Sequence, residues 1–179
     1  LREGLMFHDK EKVLARDCVS SITRWGSRDS FGQYLMSYVN EVVALDDTHF
    51  AFRLKRPFPQ LLFGLGARQC FVMPERVSSK PGTEQLSDTT GSGPFRFLKD
   101  EWVSGARSAY ARFDGYVPRQ EPPAFFAGGK MAHFDRVEWT VQPDAATAAA
   151  ALQKNEVDWL EQPLIDLCPM LQKSPGVYT

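Results

Sequence analysis

The chain has 179 residues, 43% of them hydrophobic and 24% charged, with 13 glycines and 12 prolines; these ordinary globular values exclude a disordered, collagen-like or coiled-coil polypeptide. Lys plus Arg (21) almost cancels Asp plus Glu (22), for a net charge of -1. No general attraction to nucleic acid or anionic lipid is therefore expected, and any partner must be read by a local site.

The length suits one compact domain or one lobe of a larger protein. No apolar run is long enough to span a bilayer, the alanine-rich stretch Ala145 to Ala151 included. The first residue is Leu1, with neither a basic n-region nor an apolar h-region after it, which suggests a segment cut from a longer chain or one that has lost a signal peptide. Cys18, Cys70 and Cys168 lie far apart without CxxC spacing, so no zinc or thioredoxin-type site is read. Their odd number leaves at least one thiol unpaired, and small buried hydrophobes are the expected role.

Apolar residues at 1, 5 and 7 suggest a strand ending at a polar turn over His8 to Lys12. Ala15, Cys18, Val19, Ile22 and Trp25 or Gly26 recur at the spacing of an amphipathic helix, with Gly26 and Ser27 as stop signals. Phe31, Tyr34, Leu35, Tyr38 and Val39 repeat that spacing over a shorter second helix. Val42 to Leu45, a turn at Asp46-Asp47 and Phe50 to Leu54 read as a β-hairpin, which Lys55-Arg56-Pro57-Phe58-Pro59 breaks. Leu61 to Leu65 suits one helical turn, and Cys70 to Met73 a buried strand. Polar residues from Ser78 to Thr90 mark a loop and a candidate internal boundary.

Gly91-Ser92-Gly93-Pro94 feeds a strand at Phe95-Arg96-Phe97, and Ala109 to Phe113 predicts the second arm of a hairpin. Residues 117–130, with three prolines and two glycines, form an irregular loop. Val137, Trp139 and Val141 alternate with polar residues in a strand. Asp144 caps a helix over Ala145 to Lys154 by accepting from the first-turn amides, and Asn155 ends it. Val157 to Leu160 resumes a strand, Leu164 to Lys173 a helix, and Gly176-Val177-Tyr178 a last strand. Such alternation predicts an α/β layer with a partly parallel sheet; the first ninety residues read as α+β.

Motifs for chemistry are scarce. Gly91-Ser92-Gly93 is followed by no Lys-Ser or Lys-Thr and by Pro94 entering a strand, so it is a turn and not a phosphate cradle. His8, His49 and His133 fall in no metal-binding pattern, no serine sits in Gly-x-Ser-x-Gly and no cysteine in a nucleophile motif. No catalytic residue and no cofactor or metal site is predicted. The basic residues Lys10, Lys12, Arg16, Arg24 and Arg28 interleave with Asp9, Glu11, Asp17 and Asp29 and read as a solvated face. Trp159, between Asp158 and Glu161 at a predicted strand end, has a simple core-packing explanation; its neighbours Glu161 and Gln162 favour a binding role.

Four segments in order resemble the bacterial extracellular solute-binding proteins of the peptide, oligopeptide and nickel class, which serve ABC transporters. Leu1-Arg2-Glu3-Gly4-Leu5-Met6-Phe7-His8-Asp9 is similar to that family's Leu-Arg-x-Gly-x-x-Phe-x-(Asp/Asn)-Gly, and Ala15 to Ser21 to its helix start Thr-Ala-x-Asp-Val-x-x-Ser. Gly91 to Phe97 resembles Gly-(Thr/Ser)-Gly-Pro-(Phe/Tyr)-x-(Phe/Leu), and Asn155-Glu156-Val157-Asp158 resembles Gly-Glu-Val-Asp. Lys10, Lys12, Leu14 and Asn155 depart from the pattern, standing for Gly, Pro, the capping Thr and Gly.

The resemblance implies a periplasmic-binding-protein-like, two-lobe α/β architecture. It implies that 1–88 is an α+β subdomain of the first lobe, that 89–179 is the α/β part leading toward the hinge, and that the second lobe is absent. It further implies capture of a peptide or other small solute, delivery to permease subunits of an ABC transporter, and a periplasmic or lipid-anchored extracellular location, with no nucleic acid involved. Trp159, Glu161, Phe31, Gln33 and Tyr34 are the expected ligand-facing residues, with Arg68 to Phe71, chiefly Arg68 and Phe71, as a further segment. A nickel or metal-complex cargo, a sensory or chaperone-like binding module and a small α+β hydrolase are the alternatives.

Overall fold

The computed structural model describes residues 1–67, 69–124 and 127–178. The elements run α1 (Ala15–Arg28), α2 (Ser30–Tyr38), β1 (Val39–Ala44), β2 (Phe50–Leu54), α3 (Leu61–Ala67), α4 (Glu75–Ser78), β3 (Phe95–Phe97), β4 (Arg107–Arg112), β5 (Arg136–Thr140), α5 (Ala145–Gln153) and α6 (Cys168–Leu171). They fall into two compact units: Leu1–Lys99 with Tyr110–Val137, and Asp100–Ala109 with Glu138–Thr179. The segment 78–90 lies inside the first unit.

In the first unit, the apolar stripe of α1 buries Ala15, Cys18, Ile22 and Trp25. At Asp29 the backbone turns extended: its amide closes α1 on the Trp25 carbonyl, and its side chain accepts from the Gly32 amide at 2.9 Å to start α2. One residue thus ends one helix and caps the next, because an aspartate in β conformation satisfies first-turn amides. The chain then enters β1, which pairs antiparallel with β2 in the register Val42↔Phe52, Val43↔Ala51, Ala44↔Phe50. Trp25, Leu35, Val39 and Phe58 form the core beneath, each contributing about 1.5–3 kcal/mol by leaving water.

Two buried polar side chains of α1, one turn apart, fasten the segment before α4. Ser21 Oγ donates to the Met73 carbonyl (3.1 Å) and accepts from the Met73 amide (2.9 Å). Asp17 accepts from the Leu14 amide (2.8 Å) and the Glu75 amide (2.7 Å). Leu14, where the resembled family carries a capping Thr, has no capping side chain; Asp17 satisfies its amide instead. Arg24 then holds the polar stretch, donating to the carbonyls of Lys80, Pro81 and Glu84.

The hairpins over 42–54 and 95–112, the helices α1, α2, α3 and α5 and the strand β5 stand where the sequence places them; part of the loop expected over 117–130 lies outside the described residues. Asp144 accepts from the Thr147 amide at 2.8 Å, and this bond, then the Thr147 hydroxyl, holds its carboxyl below the ordinary value. Asn155 has φ 55, and the amides of Asn155 and Glu156 donate to Leu152 and Ala151, the paired bonds that close a helix through a left-handed residue. Lys10, the other residue standing for a glycine, also has positive φ, at 72.

Several expectations are corrected. Residues 1–7 form no strand beyond an isolated bridge, Met6↔Lys12, because the chain folds straight back, with the Phe7 amide on Glu11 and Val13 on Leu5. Cys70 to Met73 is neither a strand nor buried: Phe71 is 70% exposed, and Ser21 takes the polar groups of Met73 that a ladder would use. Val157 to Leu160 and 176–178 are irregular, and the helix expected over 164–173 is a 3-10 turn (Ile165–Leu167) running into α6. Among the described residues no pairing is parallel. The sheet order is β3-β4-β5; β3 and β4 pair antiparallel, and Arg112 N–H to Asp135 and Val141 N–H to Ala106 run β5 antiparallel to β4. Alternating apolar residues fit the pleat but do not supply the neighbouring strand that makes one.

Candidate ligand-binding site

Capping at Asp29 fixes the phase of α2, and with it which side chains share a face. Phe31 and Tyr34, three residues apart, lie together with ring centroids 6.3 Å apart. Around them gather Phe58 (6.1 Å from Phe31, 5.7 Å from Tyr34), Phe63 (6.5 Å from Phe31) and Tyr38 (5.3 Å from Tyr34). The hydroxyls of Tyr34 and Tyr38 are hydrogen-bonded at 3.0 Å, and this bond, followed by the charge of Tyr38, raises the Tyr34 pKa above its ordinary value. The Arg56 guanidinium sits 4.0 Å from the Tyr38 ring centre, a cation held over a π face. Backbone comes close here too, since a Cβ on Gly64 would stand 2.2 Å from the Phe31 ring.

The result is an aromatic shelf that is only partly closed: Tyr34 is 50% and Phe63 61% exposed. It can stack apolar or aromatic groups, offer phenolic hydrogen bonds and attract an anion through Arg56. Gln33 faces elsewhere, its amide donating to the Ser27 carbonyl at 3.1 Å. Phe71 lines a separate recess of about 410 Å³ with Trp25, Asp29, Gln69 and Met73; the buried indole N–H of Trp25 has no hydrogen-bond partner among the described residues. Arg68 lies outside the described residues.

In the second unit, Trp159 packs its ring 5.8 Å from that of Trp139 at an interplanar angle of 51°. Both are exposed, Trp159 at 70%, and Glu161 is exposed two residues further on. Trp159 therefore stands in irregular backbone and not at the strand end that first singled it out. Phe31 and Tyr34 are brought together within the first unit; in the second, Trp159 meets Trp139, and Glu161 follows two residues on.

Sequence reading missed Arg56, Phe58, Phe63 and Trp139 as members of these clusters. Lys55-Arg56-Pro57-Phe58-Pro59 was legible only as a strand breaker, although its proline-fixed backbone returns Phe58 under α2. Among the described residues, no group of three His, Cys, Asp or Glu side chains converges to hold a metal ion, and no helix is long and apolar enough to cross a membrane.

The model of the bacterial extracellular solute-binding proteins, family 5, middle region, matches residues 1–179. The chain belongs to this family. Another sequence similar to this family 5 chain is the "Probable peptide ABC transporter periplasmic-binding protein y4tO" of Sinorhizobium fredii (strain NBRC 101917 / NGR234), 44% identical over 99% of this chain and 34% of that protein. Among solved structures, NikA from Brucella suis in complex with Fe(III)-EDTA superposes with a TM-score of 0.80 at 20% identity, covering 100% of this chain and 35% of that one. The oligopeptide-binding protein AppA of Bacillus subtilis, in complex with a nonapeptide, gives 0.65 at 25% identity over 88% of this chain and 30% of that one. The family 5 chain thus spans about a third of the length of the curated relatives it matches. Its family is one of solute-binding proteins and not of enzymes, and the mixed helix and sheet fold is that of periplasmic binding proteins.

Proposed function

We propose that the chain is part of the substrate-binding component of an ABC importer, which captures peptides or similar small solutes in the periplasm, or outside the cell on a lipid anchor, and hands them to a membrane permease. No bond is broken in this role. The family match over 1–179 carries the reading, and the peptide-transporter relative at 44% identity narrows it toward peptides. Ligand contact is assigned to Phe31 and Tyr34 on the aromatic shelf, to Phe71, and to Trp159 and Glu161. Gln33 would take part after releasing the Ser27 carbonyl, and Arg68 is the remaining candidate.

Physically, such capture is a population shift: ligand that binds a closed state better than an open one draws the protein closed. Exposed aromatics suit an open state, because they have apolar area left to bury. Extended peptides satisfy their backbone by strand-like hydrogen bonds while roomy pockets accept varied side chains. The chain taken alone would then bind weakly, lacking the opposing wall that the rest of a relative's length provides.

Native mass spectrometry of the gently purified full-length protein tests this reading. A ladder of small peptide masses is the expected result. A single discrete mass, or a metal chelate such as the Brucella structure holds, would move the cargo to another class within the same transport role. Isothermal titration giving equal peptide affinity for the 179-residue chain and the full-length protein would overturn the two-wall account.

A further inference from the structure

A recess of about 560 Å³ in the first unit lies away from the aromatic shelf, between the outer face of α1, strand β1 and the start of the polar stretch at Ser79 to Gly82. Three consecutive strand residues, Val42, Val43 and Ala44, line it. Successive side chains of a strand point to opposite faces, so only the edge of β1 can present all three. The opposite edge is taken by β2 in a two-stranded sheet; among the described residues this one is free.

Its polar groups can be assigned from the register. The Leu45 amide donates to the His49 carbonyl, in phase with Val43↔Ala51 and Glu41↔Arg53, so these are the pairs that exchange hydrogen bonds across the hairpin. Val42 and Ala44, between them, turn N–H and C=O outward, and no described residue takes them up. The walls add a net positive charge. Arg16, Arg24 and Lys80 line the recess; Arg16 pairs with Glu75 at 3.5 Å and Lys80 with Glu84 at 3.0 Å, while Arg24 spends its hydrogen bonds on backbone carbonyls and, among the described residues, has no carboxylate against it. Val19 and Val42 supply an apolar floor.

We propose that this recess is a strand-addition site for an extended, acidic segment of a partner protein, which pairs with the free edge of β1 at Val42 and Ala44 while its carboxylates face Arg16, Arg24 and Lys80. Two outward amides and two carbonyls at alternate residues match the repeat of another extended backbone and of little else. An open edge of this kind persists in a native protein only when short, charged or covered, and this one is short and flanked by cations. The site uses none of the residues assigned above to cargo.

The test uses the full chain, isotopically labelled, with the fluorescent peptide acetyl-Glu-Val-Asp-Val-Glu-Val-Asp-amide and a control in which every Val is Pro. The first peptide is expected to raise anisotropy and slow amide exchange at Val42 and Ala44, and the proline peptide to do neither. Ala44→Pro deletes an N–H that the β1–β2 ladder does not use, so the hairpin is retained; it should weaken binding about fivefold or more, the worth of one net hydrogen bond. Charge reversal by Lys80→Glu should weaken it further at low salt than at high salt. Should a variant fail to fold, exchange on the unaltered chain still decides. Absence of binding, equal binding of the proline peptide, or protection at Tyr34, Phe71 or Trp159 in place of β1 would overturn the proposal; so would edge-to-edge dimers detected by light scattering, which would make a second copy the occupant.

Discussion

The region from α1 to α3 and the region from β5 to α6 both leave large side chains exposed, Leu62 and Phe63 in the first among them, but differ in what they enclose. In the first, Leu35 is wholly buried and Trp25, Val39 and Phe58 nearly so. In the second, the fully enclosed residues are mostly small, Ala148, Ala149 and Ala151 with Leu171, while Val141, Trp159 and Ile165 stand 66%, 70% and 85% exposed. A core of alanines excludes little apolar area per residue, so the first region carries its own stability and the second leaves apolar surface for interaction.

That contrast can be broken deliberately. Trp25→Ala should cost about 3–5 kcal/mol, a large aromatic lost from a packed core, seen as a fall in the urea midpoint. Ser21→Ala comes next: it strands both the amide and the carbonyl of Met73, each worth about 1–3 kcal/mol when left unpaired, without removing apolar area. Gly64→Ala drives a methyl group into the Phe31 ring and should cost about 1–3 kcal/mol by overpacking; a crystal structure of the variant would show Phe31 displaced. Trp159→Ala should change stability by no more than about 0.5 kcal/mol, as for an exposed residue, while lowering peptide affinity of the full-length protein. A large stability loss there would show that Trp159 is structural and would erase the contrast.

Local patterns were the legible part of the fold. The three-and-four spacing on α1, the alternation of β2 and the cap at Asp144 are properties of neighbouring residues, and all produced the expected elements. Val157 to Leu160 had strand-like composition and failed, since a strand is made by its partner. The polar fasteners show a second limit. Ser21 reads as one serine among many until Met73 is seen 52 residues away, and Asp17 acquires its meaning from Glu75. For the candidate site, Phe31 and Tyr34 were legible because they share one helix face. Phe58 and Arg56 were not, because their position beside Tyr38 depends on how a proline-bounded turn comes back.

Burial also governs the redox character of the sulfur atoms. All three cysteines are free thiols. Desolvation is the largest reason that Cys18 holds its proton above the ordinary value and that Cys70 is pushed up to about 11. Thiolate, not thiol, attacks a disulfide, and at neutral pH the Cys70 thiol, with a pKa of about 11, is ionised in about one molecule in ten thousand. Burial of Cys18 and partial burial of Cys70 thereby hold both sulfurs in the less reactive thiol form.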